Sequence, residues 1–61
     1  MIYNLTITFL AEHIKTEYLA NVDSAQFKEE DGIGLYTFFP GKSTVFYPWT
    51  AIAKFEKERV R

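Results

Sequence analysis

Few residues in this chain carry groups capable of acid–base or covalent chemistry, and they do not fall into a working set. His13 is the sole histidine. A nucleophilic site needs a nucleophile, a base and a group that orients the base. His13 falls on the polar side of its segment, where it reads as a solvated imidazole. One histidine cannot build a zinc site unaided, and cysteine is absent, which removes disulfides, thiolate ligands and thiol redox chemistry. Glu29, Glu30 and Asp31 form the one acidic cluster. A hard cation needs several oxygens converging on a shaped loop; this loop is short and lacks spaced carboxylates, so it reads as a solvated turn. Asn4-Leu5-Thr6 matches a glycosylation sequon, but it lies inside a predicted strand and is treated as chance. The expectation is a non-enzymatic protein with no catalytic residue, no metal and no cofactor.

The aromatic residues point to a different chemistry, that of burial and stacking. Four Tyr, six Phe and one Trp occur in 61 residues. Rings of this size suit the core of a small β domain, and Phe9, Phe27, Leu35, Phe39 and Phe46 are expected there. Tyr and Trp are also over-represented where proteins meet. Tyr36, Phe38, Tyr47 and Trp49 are therefore the candidate protein-interaction residues. The alternative for the same rings is a nucleic-acid-binding small β-barrel, with bases stacked on them and Lys15 and Lys42 nearby. Glu17 and the acidic turn work against it.

Bulk properties agree with a binding role. Seven basic and eight acidic residues leave a formal charge of −1, which disfavours strong general binding to phosphate backbones. With 48% apolar residues the chain is too apolar for disorder. No apolar run approaches the ~20 residues of a membrane span, and Met-Ile-Tyr-Asn does not begin a signal peptide; the expectation is a cytoplasmic protein of one domain, residues 1–61. A domain this short buries only about 60% of its unfolded surface. Without disulfides or a metal, its default source of extra stability is a partner or a second copy.

The elements follow from periodicity. Residues 2–10 alternate, with Tyr3, Leu5, Ile7 and Phe9 on one side and Asn4, Thr6 and Thr8 on the other, a half-buried strand. Residues 13–22 fit either a strand, with Ile14, Thr16, Tyr18, Ala20 and Val22 on one side, or a helix; the strand is preferred because a small meander needs it. Asn21-Val22-Asp23-Ser24 reads as a turn, residues 25–29 as a short strand centred on Phe27, and Glu30-Asp31-Gly32 as a tight turn with Gly32 at positive φ. A hairpin follows, with Pro40-Gly41 in the middle of a type II turn or with a four-residue loop, residues 40–43. Both registers place Tyr36, Phe38, Val45 and Tyr47 on one face and Leu35, Thr37, Phe39, Thr44 and Phe46 on the other. Pro48 ends the strand, Trp49-Thr50-Ala51 makes one helical turn, and residues 52–57 form a last strand or, alternatively, a helix capped by Thr50.

The segment Phe46-Tyr47-Pro48-Trp49, then Ile52, then Phe55-Glu56, resembles the closing segment of small bacterial and phage-encoded β-barrel accessory proteins. In these a strand ends at an apolar-Pro corner, one helical turn follows, and the last strand carries two apolar residues three apart. Sm-like and Tudor-like barrels use a similar arrangement. The resemblance covers the last third of the chain and implies a barrel-closing role for this segment and an accessory factor acting on a host protein. It does not carry RNA binding, because no Asn-Gly or Lys-His pair of the Sm-like kind sits beside the corner. The expected fold is all-β, a small antiparallel five-stranded partly open barrel, with an α+β fold (residues 12–22 or the C-terminal segment helical) as the alternative. The expected partners are a second copy, as a dimer or small ring, and a host protein.

Overall fold

Alternation along the N-terminal segment produces the central strand. In β1 (Ile2–Phe9) Leu5 and Ile7 are fully buried, while Asn4 and Thr6 line the opposite surface. The computed structural model describes all 61 residues. After β1 come β2 (Glu17–Asp23), β3 (Phe27–Glu30), β4 (Gly34–Thr37), β5 (Val45–Pro48) and β6 (Ile52–Arg59). They form two three-stranded antiparallel sheets, ordered β2-β1-β6 and β3-β4-β5. The fold is all-β, as expected, but it has six strands rather than five, and they form two separate three-stranded sheets rather than one partly open barrel. No α-helix forms in residues 12–22 or after Ala51. No helix is long and apolar enough to cross a membrane.

Two single turns of 3₁₀ helix carry the chain from one sheet to the other, Ser24–Gln26 between β2 and β3 and Trp49–Ala51 between β5 and β6. The first is held by a reciprocal cap. The Ala25 N–H donates to the Asp23 carboxylate at 2.9 Å, and the Asp23 N–H donates to the Gln26 side-chain oxygen at 3.0 Å. This cap places the turn at Ser24–Gln26, three residues later than the run Asn21-Val22-Asp23-Ser24 suggested. Asn21 and Val22 belong to β2 instead.

Asn21 has φ 56, a left-handed backbone that Asn tolerates better than most residues. It marks a β-bulge: the pairing shifts from Leu5↔Leu19 to Tyr3↔Val22. One extra residue in β2 lets Leu19 and Val22, three apart, both turn inward, and Val22 is buried. The expected face of Tyr18, Ala20 and Val22 is thereby broken, and Tyr18 turns outward with Thr6. A second bulge, between Thr8↔Lys54 and Phe9↔Ile52, does the same for Ile52 and Phe55 in β6.

The sheets meet through their inner faces. Leu5, Ile7, Val22, Leu35 and Thr37 are sealed at the centre. Around them Tyr3 meets Phe27 edge to face at 5.6 Å, and Phe9 packs on Tyr47 at 6.0 Å. The Lys57 ammonium donates to Glu29 across the gap at 2.7 Å and lies 5.7 Å from the centre of the Tyr3 ring. That hydrogen bond raises the Lys57 pKa, against desolvation by burial, which acts the other way.

Candidate interaction face

Pro40-Gly41 does form a turn: the Lys42 N–H donates to the Phe39 carbonyl at 3.1 Å and Gly41 has φ 74. Strand pairing does not continue into that turn. It stops at Thr37↔Val45, which leaves a seven-residue connection, residues 38–44. An odd connection reverses the parity of either register expected from the sequence. The Phe38 N–H instead donates to the Gln26 carbonyl at 2.8 Å, so this residue still follows β3 after β4 has parted from β5. The actual pairs are Leu35↔Tyr47 and Tyr36↔Phe46. The predicted face of Tyr36, Phe38, Val45 and Tyr47 is corrected accordingly: Leu35, Thr37, Val45 and Tyr47 share one side, and Tyr36, Phe38 and Phe46 share the other.

The second group forms a continuous aromatic surface on the outer face of the β3-β4-β5 sheet. Tyr36 and Phe46 rings lie 4.8 Å apart, and Phe38 stacks on Tyr36 at 6.3 Å with 6° between the planes. Phe38 is 41% exposed and Phe46 44%; Tyr36, between them, is half-buried. Phe46 is therefore not the core residue that its size suggested. Its ring rests over Gly34, where an added Cβ would come within 2.6 Å of the ring and would also strike the Tyr47 carbonyl. A strand glycine at a close approach has this use. Lys28, opposite Tyr36 on β3, bounds the patch and pairs with Glu30 at 3.9 Å.

The other two candidate residues face elsewhere. The Tyr47 hydroxyl donates to Glu17 at 3.0 Å from the inner side of its sheet. Burial, then the hydrogen bond and the negative charge of Glu17, push its pKa up to about 12. Trp49 donates its indole N–H to the Glu30 carbonyl at 2.9 Å and packs its ring on Phe55 at 5.9 Å. It pins the corner between β5 and β6, as does the Trp49 N–H bonded to the Ile33 carbonyl at 3.1 Å. Of the four predicted residues, the structure brings Tyr36 and Phe38 together and adds Phe46, which sequence reasoning had placed inside. The signal for Phe46 was Gly34, the first residue of β4, which, unlike Gly32 in the preceding turn, does not take a positive φ and so is not needed for the turn itself.

The polar residues singled out in the sequence do not converge. His13 is exposed in the connection between β1 and β2, and Lys15 and Lys42 are exposed in separate loops. Glu29 turns inward to Lys57 while Glu30 pairs with Lys28, so the acidic run disperses in two directions. No group of three His, Cys, Asp or Glu side chains is placed to hold a metal ion. Comparison with family models, curated proteins and solved structures finds no match for this chain.

Proposed function

We propose that the protein is a non-enzymatic interaction module that self-associates through the outer aromatic face of its second sheet. The observation that carries this reading is the Tyr36–Phe38–Phe46 cluster, three adjoining rings on a sheet face that no other part of the chain covers. Water-facing β surfaces are ordinarily polar, and rings clustered at the centre of a patch are the usual anchors of protein interfaces. Two phenyl rings at this exposure offer roughly 150–200 Å². That is the centre of an interface, against ~800 Å² per partner in a standard complex. Lys28, exposed and opposite Tyr36, supplies part of a rim.

A symmetric dimer places each copy's rings against the same rings of the other. With five side chains sealed inside, the single chain has a small core, and covering the patch adds stabilisation at ~25 cal/mol per Å², less the cost of association. In the phage-accessory reading the same face is the one offered to a host protein. Light scattering over a wide concentration range tests the proposal, with a defined oligomer expected. A strict single-chain mass throughout removes self-association and moves the reading to a host protein as partner. A salt-sensitive gel shift with single-stranded nucleic acid would instead favour base stacking on Tyr36 and Phe38.

A further inference from the structure

The outer face of the β2-β1-β6 sheet holds a shallow trough of about 230 Å³, lined by Asn4, Thr6, Tyr18, Glu56 and Glu58. Its shape follows from register. Tyr18, Thr6 and Glu56 stand in one row across the three strands, and Asn4 stands opposite Glu58 in the next. The central strand contributes short side chains, which make a floor; the flanking strands contribute long ones, which make walls. The Tyr18 ring forms one wall and is 59% exposed. Two carboxylates form the other.

The polar groups are oriented. The Asn4 side-chain oxygen accepts the Asn21 N–H of the β2 bulge at 3.1 Å, which turns the Asn4 amide nitrogen toward Glu58 at 3.4 Å. That contact is long, so the Glu58 carboxylate keeps most of its accepting capacity. Lys54 reaches Glu56 at 3.6 Å from outside the trough, and no cationic residue lines it.

We infer that this trough binds the guanidinium group of an arginine on a basic peptide segment. A planar guanidinium can lie flat on the Tyr18 ring while its N–H fork donates to the glutamates and to Thr6. Anions are repelled by the carboxylate wall, and an apolar group finds one ring and a polar floor. The site is separate from the aromatic face and stands or falls without it.

The test is a titration of isotope-labelled protein with a short acetylated, amidated peptide bearing one arginine, followed by amide NMR shifts at low salt. A matched peptide with citrulline, the neutral isostere, runs beside it. Expected are saturable shifts centred on residues 4, 6, 18, 56 and 58, at least about tenfold weaker binding of the citrulline peptide, and a comparable loss in Glu58→Gln. Absence of saturable shifts at these positions, equal binding of the two peptides, or tighter binding of a neutral oligosaccharide would each overturn the assignment. The citrulline control changes the ligand alone, so its result does not depend on how any variant folds.

Discussion

The two outer faces of the molecule obey different rules. On the β2-β1-β6 sheet, Asn4, Thr6, Glu56 and Glu58 face water and the apolar residues of β1 face inward, the alternation expected of a sheet buried on one side. On the β3-β4-β5 sheet the outward row is Lys28, Tyr36 and Phe46, with Phe38 stacked beside it. Both surfaces face solvent in the single chain, so solvent contact alone does not account for their compositions. The difference is explained if a second copy of the chain covers the aromatic face, whereas the polar face stays hydrated or meets polar ligands. Gly34 strengthens the contrast, because a residue without a side chain is what lets the Phe46 ring sit directly against the β4 backbone.

The comparison breaks most visibly at Gly34. In an ordinary strand, Gly→Ala is stabilising by roughly 0.5–1 kcal/mol. Here Gly34→Ala is expected to destabilise by roughly 2–3 kcal/mol, because the new methyl meets both the Phe46 ring and the Tyr47 carbonyl. Denaturant unfolding measures it, and a gain in stability would show that Phe46 is loosely placed. Phe46→Ser is expected to weaken self-association at least about tenfold, read from the midpoint of a dilution series, with secondary structure preserved by circular dichroism.

Tyr47, on the inner side of the same sheet, has a smaller effect of another kind. Its raised pKa favours the protonated hydroxyl in the folded state. The corresponding stability is complete below pH 10 and is lost as pH rises from about 10 toward 12. Tyr47→Phe leaves Glu17 without its donor, is expected to cost about 1 kcal/mol near neutral pH, and flattens the alkaline fall in melting temperature relative to the parent protein. The smallest effect belongs to the polar face: Thr8→Val is expected to change stability by under about 0.5 kcal/mol and to leave the mass of the assembly unaltered.

Much of this architecture was legible from residue patterns. Period-two alternation located β1, and the Pro48-Trp49 corner with one helical turn and a last strand is present as expected. Gly32 and Gly41 both take positive φ. Register was harder to read, for a specific reason. A turn was correctly placed at Pro40-Gly41, but paired strands end two residues before Phe39 and resume three after Lys42. That asymmetry of one residue exchanges faces, and local turn chemistry does not encode it. The bulges had a readable mark, since Leu19 and Val22, like Ile52 and Phe55, lie three apart, which a regular strand would send to opposite sides. The candidate site was half legible. Tyr36 and Phe38 were selected as partner-facing, whereas Tyr47 and Trp49 resemble them in composition but have hydroxyl and indole groups engaged by Glu17 and the Glu30 carbonyl. Which ring finds an internal partner depends on contacts thirty or nineteen residues away in sequence, beyond the reach of a local pattern.

Sedimentation equilibrium of the parent chain beside Phe38→Ser/Phe46→Ser probes the origin of the aromatic face most directly. The account predicts that the parent's weight-average mass climbs with concentration to a whole multiple of one chain, while the double variant stays at one chain and melts as a folded protein. A parent that remains single at every concentration, or a double variant that assembles just as well, would contradict it.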